Sequence, residues 1–166
     1  MSQIESRLRT LGLTLPEPLK LPPGVTLPFP WVRVHGDRAY VSGHAAQNPD
    51  GSLASPLGKV GLELSLEQAQ RCARLTALSI LGSLKRALGD LDRVSAWLRV
   101  FGMVNSAPGF KQQPAVINGF TELIVELYGS RGLHARSAVG MAELPFGIPV
   151  EIEAEVAIEP DARHGP

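Results

Sequence analysis

Residues 150–158 alternate without a break: Val150, Ile152, Ala154, Val156 and Ile158 share one parity, while Glu151, Glu153 and Glu155 share the other. A side-chain period of two belongs to a β-strand, and one apolar face opposite a carboxylate face belongs to a strand buried on one side only. Residues 135–142 also read as a strand. Between the two, Leu144-Pro145-Phe146-Gly147-Ile148-Pro149 offers the proline and glycine of a hairpin loop. The pattern therefore predicts an antiparallel pair that carries Arg136 and Glu151 towards one site.

The rest of the chain supplies the partners such a sheet needs. Ser65-Leu66-Glu67-Gln68 has the form of a capping box, and it opens an apolar series at Ala69, Cys72, Ala73, Thr76, Ile80, Leu84 and Leu88 that Gly89 closes. Pro114 suits the first turn of a second helix ending at Tyr128, before Gly129. Short strands are predicted at 32–35 and 39–42, and a longer one at 94–104. A short amphipathic helix at 4–11 precedes a proline-rich run, 15–30, that can be neither helix nor central strand and is expected to wrap the surface. The order is ββαβαββ, an α+β domain with two helices on one face of a mixed sheet.

The strand at 94–104 is apolar on both parities. Val94, Ala96, Leu98, Val100 and Val104 are expected beneath the helices, and Trp97, Arg99, Phe101 and Met103 on the far face. Two helices cover one side of a sheet, so the far face needs a partner. The expected partner is another subunit; the alternative is that Trp97 and Phe101 lie under the proline-rich run.

A chain of 166 residues with 44% hydrophobic content makes one domain with a real core. Its formal net charge is zero, which provides no footprint for nucleic acid or an anionic membrane. The single cysteine, Cys72, lies in the apolar series of a helix and reads as a core residue in a reducing compartment. With no apolar N-terminal core and no run of roughly 20 apolar residues, the expected location is the cytoplasm. His35, His44, His134 and His164 lack metal-type spacing, so no metal is expected. Gly58-Lys59 lacks the remaining parts of a phosphate loop, and Ser42 near His44 lacks a nucleophile elbow.

Several short strings do recur together. Pro28-Phe29, Tyr40-Val41-Ser42-Gly43-His44, Val116-Ile117-Asn118-Gly119-Phe120, Ala135-Arg136-Ser137-Ala138-Val139, Leu144-Pro145 and Val150-Glu151-Ile152-Glu153-Ala154 follow one another through residues 25–158. In order and spacing they resemble the RidA (YjgF/YER057c/UK114) family of reactive-intermediate deaminases. The resemblance implies a chorismate-mutase-like fold, a homotrimer with ligand clefts between subunits, a core at 25–158 with an N-terminal extension at 1–24, and no cofactor.

It also selects residues that the pattern leaves open. Pattern alone does not choose among Glu151, Glu153 and Glu155, and it permits Arg136 to be solvated or paired with Glu151. The resemblance implies that Arg136 grips a substrate carboxylate and that Glu151 positions or polarises water. Asn118, Phe29, Ser42 and Gly43 then line the cleft. Two positions depart from the family pattern: Phe29 stands where active members commonly have tyrosine, and Ala138 where many have cysteine. The implied activity is hydrolysis of 2-aminoacrylate-like enamines and imines to 2-keto acids and ammonia. Non-catalytic binding of a small carboxylate such as a keto acid is the alternative. RNA cleavage or translation inhibition, ascribed to some relatives, fits poorly with zero net charge.

Overall fold

The computed structural model describes residues 2–160; His164 lies outside them. The elements are α1 (Gln3–Thr10), β1 (Val32–His35), β2 (Arg38–His44), α2 (Leu66–Leu88), β3 (Val94–Asn105), α3 (Gln113–Tyr128), β4 (Ala135–Met141) and β5 (Val150–Ile158). The long helix begins and ends where its caps dictate. Gln68 N–H donates to Ser65 Oγ and Ser65 N–H to Gln68 Oε1, and Gly89 stops the helix at φ 77°.

The sheet order is β1-β2-β5-β3-β4, which corrects the expected hairpin. β4 does not pair with β5. It runs parallel to β3, from Arg99 opposite Ala135 to Asn105 opposite Met141, while β3 separates it from β5. The reason is the intervening helix: β3, α3 and β4 form a crossover unit, and such a unit returns its second strand parallel to the first. Residues 142–149 then step over the end of β3. Buried Asn105 holds them there, its N–H donating to Pro149 O and its Nδ2 to Ile148 O.

A second correction concerns β3. Trp97 is buried, edge-on to Phe120 and Tyr128 with ring centroids 5.8 Å from each, so it lies on the helix face rather than the open face or beneath the proline-rich run. Register against β5 explains it. Two residues of β3 oppose one step of β5 between Val94 and Ala96 and again between Trp97 and Arg99. These are bulges, and each one moves the following side chains to the other face. Beyond them Val100 and Val104 point inward as expected, and Arg99, Phe101 and Met103 line the open face across from Glu155, Glu153 and Glu151.

The N-terminal residues are bound into this body. Ile4 and Leu8 of α1 are buried, and Asp92 accepts from the N–H groups of Gln3 and Ile4 and from Ser2 Oγ. Partial burial works against the Asp92 carboxylate, but these donors hold its pKa below the usual value. The proline-rich strap is pinned at one end by Glu17 N–H to Pro49 O and Lys20 N–H to Gly51 O, both 3.0 Å. At the other end, Ser42 Oγ donates to Pro30 O, and Trp31 packs on His44 with centroids 4.9 Å apart.

His44 beneath that anchor is locked neutral. Its Nδ1 lies 2.6 Å from Ser42 O, a pure acceptor, so Nδ1 carries the proton and Nε2 accepts from Ser83 Oγ at 2.8 Å. Burial lowers the His44 pKa to about 4, with Arg86 adding to the effect. The folded state therefore binds fewer protons than the unfolded state. Stability is full above about pH 6.5 and falls, by up to about 3 kcal/mol, as pH drops towards 4. Denaturant titrations across that range should show the slope, and His44→Gln should flatten it; an unchanged slope would assign the effect elsewhere.

Candidate functional site

The candidate residues fall into two groups. Arg136 sits on edge strand β4 opposite Val100, on the helix side of the sheet. Its Nη1 donates to Asn118 Oδ1 at 2.9 Å and to Thr121 Oγ1 at 3.0 Å, and its Nη2 donates to Pro114 O at 3.2 Å. All three acceptors belong to α3, whose first turns aim them at β4. Three of the five guanidinium N–H groups are thus engaged, leaving Nε–H and one Nη2–H for a ligand. Among the described residues no carboxylate forms an ion pair with Arg136.

Thr121 and His134 extend this support, and neither was found from sequence. His134 Nδ1 lies 2.7 Å from Gly132 O, so Nδ1 is the donor and Nε2 accepts from Thr121 Oγ1 at 3.1 Å. The Thr121 oxygen is then turned, lone pairs outward, towards Arg136. Burial lowers the His134 pKa and the nearby Arg136 charge lowers it further, which favours the neutral ring this chain of donors requires. A signal for Thr121 was present, since it lies three residues after Asn118 on the same helix face. For His134 the sequence offers no such signal, since it lies outside the helix and thirteen residues from Thr121.

The second group lies on the other face, at the junction of β2 and β5. A bulge at Ser42-Gly43, where Val41 opposes Ala154 but His44 opposes Ile152, turns Gly43 towards Glu151. A Cβ at Gly43 would stand 2.1 Å from Glu151 Oε1, so only glycine lets the carboxylate occupy that place. The Glu151 carboxylate makes no hydrogen bond or ion pair among the described residues. Burial raises its pKa above the ordinary glutamate value, and Glu153 two residues on raises it further. Phe29 reaches the same place from the strap, edge-on to Trp31 at 5.9 Å, and lines one cavity with Gly43 and Glu151. Ser42 is committed elsewhere: its hydroxyl donates to Pro30 O, its N–H to Trp31 O, and its carbonyl accepts from His44.

The chain thus brings Arg136 to Asn118, and Phe29 and Gly43 to Glu151, but does not bring Arg136 to Glu151. The two lie on opposite faces of the sheet on strands that do not pair. Among the described residues there is no group of His, Cys, Asp or Glu able to hold a metal ion, and no helix is long and apolar enough to cross a membrane. Cys72 is buried, with its thiol pKa pushed up by burial.

No family model matches the chain. Protein TCP17 of Trypanosoma cruzi is 40% identical over 124 residues, covering 74% of this chain and 76% of that protein. The crystal structure of Atu1372 from Agrobacterium tumefaciens, a protein of unknown function, matches with a TM-score of 0.83 and 41% identity, covering 93% of this chain and 91% of that one. The E. coli YjgF gene product shares the architecture at a TM-score of 0.58 and 20% identity, covering 87% of this chain and 97% of that one. Strands and helices that carry the recurring strings stand in the YjgF arrangement, so the chain has the fold of the RidA (YjgF/YER057c/UK114) proteins, and its 40% identity places it in one family with protein TCP17.

Proposed function

We propose that this protein hydrolyses 2-imino acids, tautomers of 2-aminoacrylate-like enamines, to 2-keto acids and ammonia in clefts shared between subunits of a homotrimer. The observation that carries the reading is the complementary incompleteness of the two groups. Arg136 is a part-buried, pre-aimed guanidinium with two donors to spare and no anion. Glu151 is a part-buried carboxylate with no cation or donor. A second copy that sets its Glu151 near the first copy's Arg136 completes both. The open sheet face bearing Phe101 and Met103, only half-buried in the single chain, is the surface such a copy covers.

In the completed cleft, Nε–H and Nη2–H of Arg136 hold the substrate carboxylate as a bidentate pair. Glu151 accepts a hydrogen bond from water and orients it towards the imine carbon. The C–O bond forms as the C=N electron pair moves to nitrogen, which takes a proton. Loss of ammonia from the resulting carbinolamine then leaves the keto acid, with water as the only co-reactant. Burial strengthens Glu151 as a proton acceptor and the neighbouring Arg136 charge opposes that, so its part is to polarise water and relay a proton. The chemistry is cofactor-free because the imine carbon is already electrophilic.

A second reading is binding without turnover, favoured by Phe29, whose ring occupies the family tyrosine's place without a hydroxyl. Keto-acid release from 2-aminoacrylate generated in situ separates the two. The deaminase predicts release faster than the no-enzyme rate, with an acid limb set by Glu151 ionisation that Glu151→Gln abolishes. Equal rates with and without enzyme, alongside calorimetric binding of pyruvate, would replace it with the binding reading.

A further inference from the structure

The Glu151 half-site opens into a chamber larger than a three-carbon acid needs. The cavity that Glu151, Gly43 and Phe29 share has a volume of about 490 Å³. At about 30 Å³ per non-hydrogen atom, that volume holds up to about sixteen atoms, against six in pyruvate. Its walls are chemically uniform. The strap contributes Leu21, Val25 and Leu27, the loop at 53 contributes Leu53, and the crossing segment contributes Phe146 and Ile148. Among the described residues lining it, Lys20 and Glu151 alone are charged, and Lys20 is paired with Asp50 at 3.1 Å.

The chamber is built rather than incidental. Its roof is the arch of the strap between the anchors at Glu17 and Lys20 and those at Pro30 and Trp31. The Glu17 end is fixed further by Gln47 Nε2, which donates to Glu17 O at 3.3 Å. Gly51 allows Pro18 O to approach where a Cβ would stand at 2.3 Å. The floor is continuous with the carboxylate of Glu151, so a ligand whose reacting carbon faces Glu151 has the chamber beside it. A polar substituent would find few hydrogen-bonding partners there, whereas an alkyl or aryl group would leave water.

We infer that this chamber receives the side chain of the substrate, so that the ligands of this protein are 2-imino and 2-keto acids bearing bulky aliphatic or aromatic substituents. The inference rests on the proposed carboxylate clamp for the orientation of the ligand, and the strap residues, not the clamp, determine the selectivity.

Calorimetric titration of the full chain with straight-chain 2-keto acids, from pyruvate to 2-oxooctanoate, tests it. Affinity is expected to rise about fourfold per methylene until the chamber is full. The uncharged variants Val25→Thr and Leu27→Asn should flatten that gradient, read as the ratio of 2-oxooctanoate to pyruvate affinity; Val25 is 45% exposed, so its variant keeps the fold. Equal affinity for every length would overturn the inference and leave the clamp standing, as would a gradient untouched by both variants. Arg136→Ala should weaken all lengths alike and preserve the slope. A slope that persists with no loss of affinity in Arg136→Ala would instead refute the clamp and keep the chamber. Absence of binding at any length would overturn both.

Discussion

Mixing Arg136→Ala subunits with Glu151→Gln subunits is expected to restore deaminase activity that neither variant has alone. Each substitution by itself should lower turnover roughly 100-fold or more, one by removing the carboxylate grip and the other by removing the group that orients and accepts a proton from water. Restoration follows from geometry. Arg136 and Glu151 lie on opposite faces of one sheet, so the proposed cleft draws its pair from two copies. After denaturation and refolding of an equal mixture, a cleft is intact when its arginine comes from a Glu151→Gln subunit and its glutamate from an Arg136→Ala subunit. In a cyclic assembly with random incorporation, about a quarter of clefts meet that condition. Activity near that fraction supports the shared cleft. A mixture no more active than its components would show that the two residues do not cooperate across subunits.

Gly119→Ala is expected to destabilise the fold by about 2–3 kcal/mol, the size of effect that overpacking a tight contact produces. The sign is the informative part, because alanine in place of an interior helical glycine ordinarily stabilises by up to about 1 kcal/mol. Here the new Cβ would stand 2.2 Å from Gln70 O and 2.9 Å from its carbonyl carbon, both backbone atoms of α2 that no rotamer change can move aside. The two helices must separate, and Gln70 Nε2, which donates to Ala115 O at 2.9 Å across the same interface, must follow. Asn118 and Thr121 flank Gly119, so the displacement also carries away two acceptors of Arg136. Thermal unfolding should show a Tm lower by roughly 5–10 °C for a chain of this size. A raised Tm would mean that the helices do not approach as described.

Local features were legible in the sequence because local chemistry sets them. The Ser65–Gln68 box, Gly89, Pro114 and Gly129 mark helix ends to within a residue, and the alternation of 150–158 marks a strand whatever lies beside it. Strand neighbours were not legible. Sequence adjacency suggests that β4 pairs with β5, but β3 lies between them, and nothing in residues 142–149 distinguishes a hairpin from a step over a strand. The site was visible as single residues. That Asn118 supports Arg136 through its side-chain oxygen, with Thr121 and His134 behind, required the helix and the edge strand to be placed against each other. The proline-rich run was read correctly as neither helix nor strand, yet its apolar residues roof the cavity at Glu151, a role that its irregular spacing gives no period to reveal.

The bulges of β3 behave like a frameshift and its suppressor. Between Val94 and Val100 the strand spends six residues where β5, from Ile158 to Ala154, spends four. The surplus of two is one full pleat, so residues after Arg99 return to the frame in which the strand began, and only the short interval holding Trp97 is read out of phase. Loss of the extra residue at either bulge, Ser95 or Leu98, would restore one-to-one pairing there and leave every remaining side chain on its present face. Loss of both would leave Trp97 opposite Val156, still facing the helices. Length variation in this strand is therefore tolerable at the two bulges, where a residue has no partner on β5, and turns side chains over in the regular stretch beyond them.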